Sequence, residues 1–110
     1  MRKYALTQSN PSHEIPKVMI HETEDSGVYV YLYKSKHDTS SHNDFWFDDL
    51  QDAEDFSNQY FGIENSDWVS IDDPSKGCQH DLIRPIRRKE KPNDHQYEIL
   101  EDGVWKDIEL

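Results

Sequence analysis

The sequence has a single cysteine, Cys78, so no internal disulfide can form. No stretch approaches the ~20 apolar residues needed to cross a bilayer. The start, Met1-Arg2-Lys3-Tyr4, lacks the apolar run of a signal peptide. These three absences predict a cytoplasmic protein. Hydrophobic residues are scarce too, at 34% of 110, which allows one modest core and predicts a single domain over 1–110. Positive charge is the other shortage. There are 12 Lys and Arg against 23 Asp and Glu, for a formal net charge of −11. Such a surface repels phosphates, which argues against nucleic acid as the main partner and against anionic membranes. Its electrostatic complement is a basic protein. Internal repeats and low-complexity segments are absent.

Aromatic residues are what the chain has in quantity. Low hydrophobicity and high charge lean toward disorder, but three Trp, four Phe and six Tyr are too many rings to leave in water. Each buries roughly 150–250 Å². The expectation is a folded domain with a small, aromatic-rich core.

Tyr4 to Leu6 reads as a short edge strand and Ser9 to Ser12 as a turn. Lys17 to Glu22 alternates, with Val18 and Ile20 on one face and Met19 and His21 on the other. A five-residue loop, Thr23 to Gly27, leads to a second alternating run, Val28 to Lys34. There Val28, Val30 and Leu32 point one way and Tyr29, Tyr31 and Tyr33 the other, so the two runs predict an antiparallel hairpin. Lys34 to Asn43 is polar and loop-like. The aromatic cluster Asp44-Phe45-Trp46-Phe47 follows, then Asp48 or Asp49 as a helix cap. Leu50, Ala53, Phe56 and Tyr60 fall on one helical stripe, and Gly62 suits the left-handed position just past the last turn. A helix is predicted from about Leu50 to Phe61, with Ile63 folding back on it. Trp68 to Ile71 reads as a short strand, and Leu82 to Arg88 as one that Pro85 confines to an edge or bulge. Lys91 to Asp94 breaks the chain. The end reads as a hairpin. A two-residue Asp102-Gly103 turn sets Glu98 against Asp107, whereas a three-residue loop sets Leu100 against Val104, Ile99 against Trp105 and Glu98 against Lys106. Like charges destabilise cross-strand pairs, so the second register is preferred. The fold class is α+β: a mostly antiparallel β-sheet with one main helix packed on a face.

Charge is segregated along the chain. From Asp44 to Asp73 there are ten acidic residues and no Lys or Arg. Near the C-terminus Arg84, Arg87, Arg88, Lys89 and Lys91 surround one Glu90. Surface charge is the default way to stay soluble. The functional alternative is an acidic docking face for a basic protein, built from Asp48, Asp49, Asp52, Glu54, Asp55 and Trp46. Asp52, Glu54 and Asp55 lie off the apolar stripe and are expected in solvent. The two charged stretches either satisfy each other or leave the acidic face open.

A second candidate is Cys78-Gln79-His80-Asp81. Thiolate, imidazole and carboxylate are all zinc ligands, so Cys78, His80 and Asp81 form a candidate metal set, with His37, His42 and Asp44 able to add to it. Paired C-x-x-C ligands are missing. A Cys78/His80 thiolate–imidazolium pair is the corresponding nucleophile reading, without a supporting oxyanion-forming glycine motif. The bland reading is a loop whose Cys packs as a small hydrophobe. The Tyr29/Tyr31/Tyr33 face is a third candidate, left for another layer, a ligand or a second subunit in a homodimer.

The stretch Trp68 to Arg87, containing Asp73-Pro74-Ser75-Lys76-Gly77-Cys78-Gln79-His80-Asp81-Leu82-Ile83-Arg84-Pro85-Ile86-Arg87, resembles a group of short, uncharacterised bacterial proteins that share D-P-x-x-G-C-Q-H-D-x-I-x-P-x-R. Tyr4 to Pro11 and Tyr97 to Ile108 are similar to the same group. The resemblance implies a bacterial source and a stand-alone domain and carries no activity. The leading expectation is a non-enzymatic module, inhibitor- or immunity-like, that binds a basic protein through its acidic face. The alternative is a metal-binding or thiol-dependent activity at Cys78 and His80.

Overall fold

The computed structural model describes residues 1–7, 14–89 and 97–109. Eight strands and one main helix give the α+β arrangement that the sequence predicts. The elements are β1 (Arg2–Leu6), β2 (Lys17–Glu22), β3 (Val28–Tyr33), β4 (Asn43–Phe47), α1 (Leu50–Phe61), β5 (Val69–Ile71), β6 (Ile86–Arg88), β7 (Tyr97–Glu101) and β8 (Val104–Ile108). A five-stranded sheet runs β4-β3-β2-β1-β5 and a three-stranded sheet runs β6-β7-β8, every pairing antiparallel. Among the described residues no helix is long and apolar enough to cross a membrane. The turn at Ser9 to Ser12 and the break at Lys91 to Asp94 fall outside the described residues.

The hairpin β2–β3 pairs Val18 with Leu32 and Ile20 with Val30. These four side chains, with Ala5, Val28, Ala53 and Ile63, form the main core. Helix α1 lies over this face. Asp49, not Asp48, is the cap: its Oδ1 accepts the Asp52 N–H at 2.9 Å. Gly62 ends the helix at φ +69°. The buried stripe, however, runs through Ala53 and Ser57 and not on to Tyr60, which is 62% exposed. Ser57 fits there because its hydroxyl donates to the Ala53 carbonyl at 2.8 Å, satisfying its polar atom locally.

Three expectations are corrected. Tyr4 to Leu6 belongs to β1, which is not an edge, because β5 pairs along its other side. The edges of the large sheet are β4 and β5. Of the stretch Leu82 to Arg88 only Ile86–Arg88 is a strand, and it is an edge strand. Pro85 cannot donate to a ladder, and its carbonyl instead accepts the Leu100 N–H at 3.0 Å. The C-terminal hairpin takes the register argued against: Glu101 opposes Val104, Leu100 opposes Trp105 and Glu98 opposes Asp107. Asp102 at φ +50° and Gly103 at φ +77° form a two-residue turn of the mirror-image kind that matches strand twist. The like-charge pair is tolerated because β6 and the residue just after it supply a cation to each member. Arg87 Nε lies 2.7 Å from Glu98 Oε1, and Lys89 pairs with Asp107. Arg87 also lies over the Trp105 ring at 3.7 Å.

The second face of the large sheet is covered by the chain itself, through segments 34–42 and 72–85. Two cations hold this layer. Arg2 is 2% exposed and donates to the carbonyls of Asp72 (2.8 Å), His80 (2.9 Å) and Leu82 (2.6 Å). Lys17, also buried, donates to the His37 carbonyl at 2.7 Å and lies over the Tyr33 ring at 4.3 Å. Asp38 ties the two segments together by accepting the backbone N–H groups of Ile83 (2.7 Å) and Arg84 (2.9 Å). Leu82, Ile86 and Ile99 form a second, smaller core beneath.

Candidate functional site

The acidic face is built on α1 and the edge strand before it. Asp48, Asp52 and Asp55 are exposed, and among the described residues none has a cation within ion-pair distance. Asp52 gains from the helix N-terminus, and Asp55 accepts from Gln51 Nε2 at 2.9 Å. Asp49 is engaged in capping. Glu54 departs from the expectation of a solvated carboxylate. It lies 2.7 Å from Lys3 Nζ, only 21% exposed, because β1 places Lys3 on the helix side of the sheet. Lys3 also sits 5.0 Å over the Trp68 ring.

Strand β4 was visible in the sequence only as a cluster of rings. Its alternation splits them. Phe45 and Phe47 each meet Phe56 of α1 at 5.2 Å, while Trp46, paired with Tyr29, turns to the opposite face. Trp46 is therefore not beside the helix acids, although it is 53% exposed. Its Nε1 donates to the Ser26 carbonyl at 2.6 Å, and its ring covers Gly27. Gly27 has φ +83°, and a Cβ there would lie 2.5 Å from Trp46 Nε1. Gly27→Ala is expected to lower stability by about 1–3 kcal/mol, from backbone strain and displacement of the indole together. A urea midpoint unchanged from wild type would contradict this.

The sequence-predicted trio Cys78, His80 and Asp81 does come together, at one open cleft of about 430 Å³ that Tyr31, Ser41 and Asp44 also line. Its residues come from the turn after Gly77, from β3, from β4 and from the covering loop. Cys78 is buried, and burial pushes its thiol pKa up, with Arg87 and Arg2 opposing. A buried neutral thiol is a poor nucleophile and a poor ligand. Asp81 holds the covering loop, accepting the Ser41 N–H at 2.8 Å and its hydroxyl at 3.0 Å on Oδ2. Its backbone carbonyl accepts the Tyr33 hydroxyl. His80 packs edge-on against His21, ring centroids 4.9 Å apart. His37 and His42 do not line the cleft; Asp44 does. Among the described residues no three His, Cys, Asp or Glu side chains converge as a metal-holding group.

The tyrosine face divides. Tyr33 is fully buried under the chain's own second layer, so it is not free for a second subunit. Tyr29 and Tyr31 remain half-exposed and stack at 6.2 Å. Burial, then the Asp81 and Asp44 charges, push the Tyr31 hydroxyl up to about 12. Both carboxylates therefore act on that hydroxyl.

His21 is the one side chain among the described residues with an orphaned buried polar atom, Nδ1. Burial first, then His80, Arg2 and the N-terminal amine, lower its pKa to about 4, against a weaker opposing pull from Asp73. Nothing in the local sequence marks His21, Ser41, Asp38 or the two buried cations for these roles; their partners lie far along the chain. No family model, curated protein or solved structure matches this chain.

Proposed function

We propose that this chain is a non-enzymatic, cytoplasmic protein-binding module, inhibitor- or immunity-like, that docks a basic protein on the acidic surface of α1 and its N-terminal flank. The observation that carries this reading is where the chain's own cations go. Arg84 pairs with Asp38, Arg87 with Glu98 and Lys89 with Asp107. None of these reaches Asp48, Asp52 or Asp55, so the two charged stretches do not neutralise each other among the described residues. Exposed rings lie close to the acids. Phe45 is 40% and Tyr60 62% exposed, with Phe56 between them at 5.2 and 5.0 Å. A carboxylate-rimmed aromatic patch offers apolar contact and charge steering together.

Charge reversal tests it. A partner captured by wild-type protein from the native cell at low salt is expected to be basic, to be released at high salt, and to be lost with the Asp52→Lys/Asp55→Lys double variant. A partner held equally well by both proteins and at both salt concentrations would overturn the reading.

A further inference from the structure

The cleft, lined by Tyr31, Ser41, Asp44, Gln79, His80 and Asp81, is rich in acceptors and holds no Lys or Arg among the described residues. The Asp44 carboxylate and the Tyr31 hydroxyl make no hydrogen bond among the described residues. Asp81 uses only Oδ2, leaving Oδ1 open. The nearby cations are committed elsewhere. Arg2 donates to three backbone carbonyls behind the cleft, and Lys17 to the His37 carbonyl. The buried Cys78 thiol, also without a hydrogen-bond partner among the described residues, contributes a weakly polar wall. Two carboxylates, a phenol and an open volume of about 430 Å³ therefore lack a group that brings several N–H donors and positive charge at once. A guanidinium does so. It is planar, carries five donors, forks onto carboxylates and stacks on aromatic rings.

We infer that this cleft receives an arginine side chain of the docked basic protein, held between the Asp44 and Asp81 carboxylates against the Tyr31 ring. The inference rests on the docking reading above and adds the anchor residue of the partner. Position supports the link. Asp44 ends up on the cleft face of β4 and Asp48 lies just beyond the same strand. Four extended residues span ~13 Å. The cleft and the helix acids lie on opposite faces of the large sheet and meet only at its β4 edge, so a partner that wraps this edge, with a patch of roughly 800 Å² to cover, contacts both. Buried arginine anchors at the centre of such a patch, with looser charges around it, are the usual distribution of binding energy.

The test uses the full chain, isotope-labelled, titrated with the peptide acetyl-Gly-Arg-Gly-amide and with its citrulline counterpart, which has the same shape and no charge. The arginine peptide is expected to cause saturable amide shifts at Tyr31, Ser41, Asp44 and Asp81, and the citrulline peptide none. Asp44→Asn and Tyr31→Phe are expected to weaken binding about tenfold each while leaving the remaining spectrum, and hence the fold, unchanged. Asp52→Lys/Asp55→Lys is expected to leave the cleft shifts in place. No saturable shift at the cleft, or equal response to citrulline, overturns the inference. Micromolar binding of the arginine peptide that does not compete with the captured protein also overturns it, because the cleft then serves a free guanidinium compound. Loss of partner capture on helix charge reversal with no effect of Asp44→Asn sinks the anchor and spares the docking reading; retained capture with cleft shifts intact sinks the docking reading.

Discussion

Arg2→Met is expected to cost the fold about 3–5 kcal/mol, the largest effect of any single substitution proposed for this chain. Methionine keeps most of the stem packing and removes the guanidinium. What it leaves behind are the carbonyls of Asp72, His80 and Leu82, which Arg2 now satisfies at 2.6–2.9 Å. A buried acceptor left without a partner costs about 1–3 kcal/mol; the Leu82 carbonyl is buried and the other two are part-buried. Burial pulls the Arg2 pKa down from its usual value, with Tyr33, Asp73 and Asp38 opposing, and the three carbonyls solvate the charge directly. Arg2→Lys is no remedy. A single ammonium cannot match the fork that spans residues 72, 80 and 82. The loss should be local in origin. Amide exchange is expected to rise first in the 72–85 segment, before α1 and the β2–β3 hairpin. An unfolding free energy within about 1 kcal/mol of wild type, with exchange unchanged there, would show that Arg2 is not the tether.

The second large effect is on pH. His21 has an ordinary pKa near 6.5 when unfolded and about 4 when folded. Between those values the unfolded chain binds the proton and the folded one does not, so stability falls as pH falls. Going from pH 7 to pH 4 is expected to remove about 3 kcal/mol through this residue alone. The groups facing it are His80, Arg2, the N-terminal amine and Asp73, and three of these four oppose the imidazolium. His21→Phe keeps a ring against His80 and cannot titrate. Chemical denaturation at both pH values is expected to give a drop smaller by about 3 kcal/mol in the variant than in wild type. Parallel pH dependence in the two proteins would contradict the assignment.

How much of this was legible in the sequence divides by range. The helix Leu50–Phe61 and its caps were readable because Asp49, the apolar stripe and Gly62 act within a few residues of one another. The β2–β3 hairpin was readable because alternation is a local pattern. The C-terminal register was misread because the deciding cations, Arg87 and Lys89, come from a third strand, β6, and the residue just after it. Cross-strand charge rules hold for an isolated pair and fail once a neighbour neutralises one side. Strand β4 was missed because its rings face both sides of the sheet, so no alternation of polarity marks it. For the cleft, the residues Cys78, His80 and Asp81 were legible, but their surroundings were not. The partners Ser41 and Tyr31 come from about 40 and 50 residues earlier, a separation that local patterns do not encode. The Glu54 carboxylate was expected in solvent for the same reason: its partner is Lys3, 51 positions away.

The most direct measurement of the docking account is the association rate of the captured partner with wild-type protein and with Asp52→Lys/Asp55→Lys, each across a range of salt. Steered association falls steeply with ionic strength, whereas the rate of a neutral encounter barely changes. The account expects wild type to associate at least about tenfold faster than the variant at low salt, with the two rates converging as salt rises. Equal rates at every salt concentration would contradict it.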